Sequence, residues 1–255
     1  MNRITLCADD FAQSAAIGNG ILHLVAAGRL QAVSCMTESS HWPEMAQRLK
    51  ALDARHQTGL HFNLTQGFDP SDQPVTQLMF RAVLRKLDPA DVRRRFVAQW
   101  LAFEAHFGEP PAFVDGHQHV HGFPAIRRIV IEETRIRNPN AWVRVPHAAC
   151  LMPKALVLRM MTAGLPTHLK QAGLGGNARF AGFRPFHSGF DFARFFRHLL
   201  TNIGGDTLVM CHPGLAADDP ADPIAACRQA ELDYFSSDQY PADLAAARIQ
   251  TTRFC

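Results

Sequence analysis

The stretch RITLCADDFAQSAAIGNGILHLVAAG, residues 3–28, contains a complete unit of strand, turn and helix. Residues 3–8 form a short apolar run of the kind found in buried strands. A helix then begins after the capping residue Ser14 and ends at Gly28, a residue type suited to a helix C-terminus. One face of this helix is apolar: Ile17, Ile21, Leu24 and Val25. The stretch therefore predicts a strand whose following helix packs back against it.

The same alternation recurs along the chain. Further strands are predicted at residues 30–36, 58–65, 111–117, 141–145 and 206–212. Further helices are predicted at residues 43–54, 89–108, 124–137, 153–164, 189–203 and 222–235. A long loop is expected at 66–75 and a glycine-rich loop at 173–177. About seven alternations favour an α/β fold, a distorted or incomplete (β/α) barrel similar to a TIM barrel, over an open doubly wound sheet. We expect one domain over residues 1–255.

Composition excludes several classes of protein. The chain is 47% hydrophobic and 19% charged, which predicts a sizeable core. Its 26 basic and 23 acidic residues are spread along the chain, so no basic stripe indicates nucleic-acid binding. No apolar run reaches the roughly 18 residues that a membrane helix needs, and the N-terminal residues lack a signal-peptide core. We expect a cytoplasmic protein without membrane insertion, and a homodimer by base rate.

Polar side chains follow four of the predicted strands. They are Asp9 and Asp10; His61 and Asn63; Asp115, His117, His119 and His121; and His212. The carboxyl ends of the strands in a barrel or an open α/β sheet meet at one face, where residues distant in sequence converge. The sequence therefore predicts one polar site at this face.

Two adjacent carboxylates at a strand end repel each other unless a cation or a proton lies between them. In one interpretation, Asp10 caps the next helix and Asp9 faces solvent. In the other, one carboxylate binds a metal ion while its neighbour accepts a proton from a bound water. His61 has two interpretations as well, since a single histidine in an apolar strand is often a hydrogen-bonded core residue.

The segment FVDGHQHVHGFP, residues 113–124, carries histidines at alternate positions. In an extended strand these imidazoles would point the same way, but Gly116 and Gly122 predict a turn that separates them. We therefore expect one metal ligand from this segment and hydrogen-bonding support from the others. A site with one carboxylate and two imidazoles suits Zn, Mn or Co, or Mg with waters completing the shell. The chemistry predicted is metal-assisted hydrolysis with an aspartate base.

Four segments together resemble the YdjC-like carbohydrate deacetylases, the family that includes chitooligosaccharide deacetylase and hopanoid-associated deacetylases. They are ADDFAQSAAIGNGI, GLHFNLT, DGHQHVHGFP and CHPG, and the tail RQAELDYFSS, with Arg228 and Glu231, is also similar. The resemblance implies a distorted barrel that removes acetyl groups from N-acetylated sugars with a divalent metal, usually magnesium.

The resemblance also implies roles for single residues. Asp10, His61 and His117 would bind the metal, and Asp9 would be the general base that activates the metal-bound water. His212 would lie near the leaving amine as the general acid, with His119 and His121 as the alternatives. The remaining polar residues, Asp115, His119, His121 and Asn63, would support the metal ligands or contact the substrate.

Two positions depart from the family pattern. Ala12 stands where the family usually has glycine, which is costly if this turn needs a positive φ. His147 stands near the place where the family often has an acidic residue. Neither change touches the ligands that the resemblance implies.

The alternative functions are hydrolysis of another amide or a phosphoester by the same metal site, and sugar binding by a barrel that has lost catalysis.

Overall fold

Parallel strands form a single curled sheet in the computed structural model, which describes residues 2–52, 56–148, 152–187, 189–217, 219 and 222–254. The strands are β1 Asn2–Phe11, β2 Ala32–Cys35, β3 Gln57–Phe62, β4 Phe113–Gly116, β5 Trp142–Val143, β6 Phe180–Ala181, β7 Asp206–Cys211 and β8 Ile249–Thr251. Their order across the sheet is β5-β4-β3-β2-β1-β7-β6, and β8 pairs with the first residues of β1.

The helices are α1 Ala15–Ala26, α2 Trp42–Lys50, α3 Val75–Val83, α4 Pro89–Phe107, α5 Ile126–Arg137, α6 Pro153–Met161, α7 Leu165–Ala172, α8 Phe192–Asn202, α9 Ala225–Ser236 and α10 Gln239–Ala246. A 3₁₀ turn covers His117–Gly122. None of the helices in the described ranges is long and apolar enough to cross a membrane.

The sheet curls into an incomplete barrel, as the alternation of strands and helices predicts. Its edge strands β5 and β6 are not joined by a continuous ladder. Two isolated parallel bridges, Trp142 to Gly175 and Ala148 to Phe180, link the two edges. The fold class expected from the sequence is therefore confirmed.

The unit at residues 3–28 folds as its sequence predicts. The hydroxyl of Ser14 accepts a hydrogen bond from the backbone N–H of Ile17 at 3.3 Å and caps α1. The predicted apolar face of α1 is buried. Helix α4 packs against β3. Its Phe96 ring packs edge to face on Phe62 of β3, and its Phe103 ring stacks on Trp42. This packing fixes β3 and the loop that follows it.

Several short elements were not expected from the sequence. They are α3, α7, α10, β6 and β8. Predicted element ends also differ from the structure by a few residues, as is usual for frayed ends. Predicted strand 141–145, for example, pairs only over Trp142–Val143. The last residues of the predicted helix 43–54 lie outside the described part of the chain.

Candidate metal and hydrolase site

The two aspartates of β1 lie at an irregularity in the sheet. Between Ala8 and Phe11 the register of β1 against β2 shifts, which is the signature of a β-bulge. Asp10 lies here with a left-handed backbone (φ 66°), and Ala12 follows with φ 69°. In a regular strand the two side chains would point to opposite faces, whereas both carboxylates here are buried at the carboxyl end of the sheet.

Three of the predicted residues meet around one carboxylate. His61 Nε2 lies 3.3 Å from Asp10 Oδ1, and His117 Nδ1 lies 3.0 Å from the same oxygen. One nitrogen or oxygen of each residue lies within 4.8 Å of those of the other two. They come from β1, from β3 and from the turn that follows β4. Asp10 and His61 are buried, while His117 is partly open to solvent.

A second carboxylate orients His61. Its Nδ1 lies 2.7 Å from Asp115 Oδ1 and 2.9 Å from the hydroxyl of Ser34. Burial on its own would lower the pKa of His61, but the charge of Asp115 and the contacts with Asp10 and Asp115 raise it to about 10. Fixing Nδ1 in this way leaves Nε2 directed at Asp10, the arrangement by which a carboxylate positions a histidine ligand.

Arg144 occupies a second cluster of potential ligands, formed by Cys7, Asp9 and Asp115. Its guanidinium contacts both oxygens of Asp9 at 2.6 Å, Asp115 at 2.6 Å and the sulfur of Cys7 at 3.1 Å. A positive charge therefore already lies where these three residues converge. The fork orients the carboxylate of Asp9, because two parallel contacts fix both of its oxygens.

Arg228 holds the other oxygen of Asp10. Its guanidinium contacts Asp10 Oδ2 at 2.8 Å and Asp222 at 2.5 Å. Burial would raise the pKa of Asp10, but Arg228 and His117 together lower it well below its usual value. Asp10 is therefore an ionised carboxylate whose Oδ1 faces both imidazoles.

His212 lies on the far side of Asp9, after the end of β7. Its Nε2 is 3.9 Å from Asp9 Oδ2. Glu231 accepts a hydrogen bond from the backbone N–H of His212 at 2.6 Å and also pairs with Arg184. Burial lowers the pKa of the His212 imidazole, although the nearby carboxylates oppose this. The imidazole is therefore mainly neutral near neutral pH in this arrangement.

The other two histidines of the segment 113–124 point away from Asp10. The backbone of Gln118 and His119 is left-handed, which breaks the extended alternation as the glycines lead us to expect. The ring of His119 packs against those of Phe180 and Phe183. His121 is buried with Nε2 2.8 Å from the carbonyl oxygen of Arg144. Burial lowers the pKa of both imidazoles, to about 4 for His121.

Asn63 joins a different network. Its amide donates to Glu38 at 2.8 Å and to Asp72 at 3.2 Å, and its oxygen accepts from the backbone N–H groups of Thr65 and Gln66. Both the nitrogen and the oxygen of this amide are therefore hydrogen-bonded, at the start of the loop after β3. A role for Asn63 toward the metal ligands or the substrate stays a prediction.

The chain matches a known protein family along most of its length. A model of the YdjC-like protein family matches residues 3–246. The chain belongs to the YdjC-like family. The carbohydrate deacetylase of Mus musculus is 31% identical over 147 residues, which cover 51% of this chain and 46% of that protein. The chitooligosaccharide deacetylase of Yersinia enterocolitica is 30% identical over 135 residues, or 48% and 52%. The matches span about half the length of these curated relatives.

Two solved structures share the fold of this YdjC-like chain. A protein of Enterococcus faecalis named for cellobiose-phosphate cleavage superposes with a TM-score of 0.74 at 17% identity, covering 99% of this chain and 98% of that one. A family 4 acetyl xylan esterase from Clostridium thermocellum, in complex with a cobalt ion, superposes with a TM-score of 0.51 at 10% identity, covering 99% and 88%. At these identities the likeness concerns the fold alone.

Arg144 was missed by the sequence analysis of this YdjC-like protein. The signal was present, because a lone arginine in the apolar stretch AWVRVP must be paired if the strand is buried. Arg228 and Glu231 were noted only for their similarity to the family tail. The helical spacing of these two, three residues apart on α9, places both on the face of α9 that meets the site.

Proposed function

We propose that this protein hydrolyses the N-acetyl group of an amino sugar or glycoconjugate, using a divalent cation held by Asp10, His61 and His117. The observation that carries the proposal is the convergence of these three side chains beside a separate carboxylate, Asp9, that the cluster does not use. Membership of the YdjC-like family and relatives named as carbohydrate deacetylases support the substrate class.

The three residues fit a divalent cation chemically. His61 presents Nε2 because Asp115 holds its Nδ1. The pKa of His61 is raised because the negatively charged surroundings favour a proton on its imidazole. A bound cation can supply the positive charge in place of that proton. Two imidazoles and one carboxylate favour Zn, Mn or Co by donor type, while Mg is the metal that the family resemblance implies.

Such a cation would polarise the acetamide carbonyl and increase the acidity of the attacking water. Asp9 accepts the proton of that water, since Arg144 fixes its carboxylate beside the candidate ligands. The nitrogen of the sugar must be protonated before it leaves, because an amide anion is too poor a leaving group. His212 Nε2 lies 3.9 Å from Asp9 Oδ2, so the neutral imidazole takes up the proton that Asp9 has accepted and, as the general acid, donates it to that nitrogen. The products are acetate and the free amine.

Phe186 is positioned to contact the sugar. Its ring lies edge-on to His212 with 5.4 Å between centroids, and Cζ of Arg184 lies 4.4 Å from the ring centre. The side chain is 37% exposed. Phe186→Ala should raise KM several-fold with a smaller effect on kcat, whereas Phe186→Tyr should retain KM. Equal KM values for the wild type and the alanine variant would contradict this contact.

Acetate release tests the proposed function directly. The purified protein, stripped of metal and reloaded separately with Mg, Mn, Co or Zn, is assayed on mono- and oligomeric N-acetylglucosamine and on lipid-linked N-acetyl sugars. We expect acetate with at least one of these metals and none after chelation. Release of phosphate from phosphoesters, or of another acyl group only, would identify a different hydrolase. No product from any substrate would favour a sugar-binding barrel.

A further inference from the structure

Exposed apolar side chains concentrate on two helices of the molecule. Ten large hydrophobic side chains are exposed within the described ranges, and six of them lie on or directly after α3 and on α6. We call these six the apolar rim: Phe80, Val83, Leu84, Leu156, Val157 and Met160. Single exposed apolar residues are normal on a protein surface, but a concentration of them marks an interaction site.

The two helices of the apolar rim follow the strands on either side of β4. α3 follows the carboxyl end of β3, and α6 follows that of β5. These two strands are the neighbours of β4 in the sheet, and β4 leads into the turn that carries His117. The end of α6 contacts this turn, because Arg127 bridges the carbonyl oxygens of Gly122 and Met161. The apolar rim is thus attached to the face of the barrel where the site opens.

The two segments that carry the apolar rim contain basic residues and no acidic ones, although the exposed Asp88 directly follows the first of them. Residues 73–87 and 152–187 contain no aspartate or glutamate, although the chain has 23 acidic residues in total. The exposed cations beside the rim are Arg85, Lys86, Lys154 and Arg159. An exposed apolar surface bordered by lysine and arginine is typical of proteins that bind the interface of anionic bilayers.

We infer that the apolar rim docks this protein on the surface of a bilayer that contains anionic phospholipids, with the site facing the lipid headgroups. A second copy of the chain is the less suitable occupant. A twofold dimer through this surface would bring the same patch of each copy together and place cations opposite cations. Docking at the interface requires no membrane-spanning helix, since the apolar side chains enter only the headgroup region.

Vesicle co-sedimentation of the full chain tests the inference. Phosphatidylcholine vesicles that contain phosphatidylglycerol should bind the protein at low salt, and high salt should weaken the binding. Vesicles of phosphatidylcholine alone should bind at least about tenfold less, since each lysine or arginine near an anionic surface favours binding. The assay uses neither sugar nor added metal, so its outcome is independent of the proposed deacetylase activity.

Two rim variants and one matched control complete the experiment. Leu156→Ser/Met160→Ser and Phe80→Ser/Leu84→Ser should each reduce vesicle binding about tenfold or more, because each removes two apolar side chains. Leu101→Ser/Ile136→Ser changes exposed apolar residues of α4 and α5 and should leave binding unchanged. Equal binding by the rim and control variants, or equal binding to both vesicle types, would overturn the inference. So would a dimer in light scattering that the rim variants dissociate, without any vesicle binding.

Discussion

Ala12 is the residue whose strain the structure makes measurable. It has φ 69° in the turn after the bulge, a region that disfavours a residue with a side chain. Ala12→Gly should raise the free energy of unfolding by about 0.5–1 kcal/mol in urea denaturation. The control Ala98→Gly, at an exposed interior position of α4, should lower it by about 1 kcal/mol. A destabilised Ala12→Gly variant would contradict the strain.

His121 gives the protein a pH dependence of defined sign. Its pKa is about 4 in the folded protein and about 6.5 in an unfolded chain. Between these values the unfolded state binds more protons than the folded state. The free energy of unfolding therefore falls as the pH falls from about 6.5 to about 4, and below about pH 4 His121 lowers it no further. The full loss is about 3 kcal/mol. In urea denaturation, His121→Gln should show a shallower slope over this window, and an unchanged slope would refute the assignment.

The residues of the candidate site differ in how far their positions could be predicted from the sequence. Asp9, Asp10, His61 and His117 were recognisable because each follows an apolar run that ends at the same edge of the sheet. The separate surroundings of Asp9 and Asp10 were not recognisable, because they depend on the bulge and on two arginines distant in sequence. Pairing across more than one hundred residues leaves no local pattern.

The conformation of the loop after β3 depends on the side chain of Asp72. Asp72 accepts hydrogen bonds from the backbone N–H groups of Gly67 and Phe68 and pairs with the buried Arg95 of α4. Asp72→Ala would leave the cation of Arg95 without this partner, which typically costs about 3–5 kcal/mol. We expect a lower Tm and faster proteolysis within residues 64–73.

Asp69→Ala is the matched control for this loop, since Asp69 is only partly buried and the hydrogen bonds of its carboxylate within the described part of the loop come from the backbone N–H and the hydroxyl of Ser71. Its Tm and its rate of proteolysis should stay close to those of the wild type. If the Asp72 and Asp69 variants behave alike, the buried pair does not anchor the loop.

Elements with a wide apolar stripe were predicted, and those without one were missed. On α4 the stripe includes Val92, Phe96, Trp100 and Phe103, all buried. On α3 only Leu78 and Ala82 are buried, so its sequence has no sustained helical period of apolar residues. Strands β6 and β8 have two and three residues, too few to show a pattern. Their positions are set by pairing with β7 and β1 instead.

For the whole molecule, the sequence predicted the class of fold, an α/β barrel, but not whether the barrel closes. Alternating strands and helices require a parallel sheet covered by helices. Whether the edges meet depends on residues 142–180, where two isolated bridges replace a ladder. The incomplete barrel still places the carboxyl ends of β1, β3, β4 and β7 at one face, which is what the candidate site requires.

The proposed function gives separate roles to Asp9 and to the cluster of Asp10, His61 and His117. Metal content and acetate release, measured together on Asp9→Asn and His117→Ala, distinguish these roles. Asp9→Asn should keep the metal content of the wild type and lose turnover by about 10²–10⁴-fold, because only the base is removed. His117→Ala should lose most of its metal, and its turnover should recover partly at high metal concentration. Equal loss of metal in both variants, or full turnover in Asp9→Asn, would show that Asp9 and the cluster do not have these separate roles.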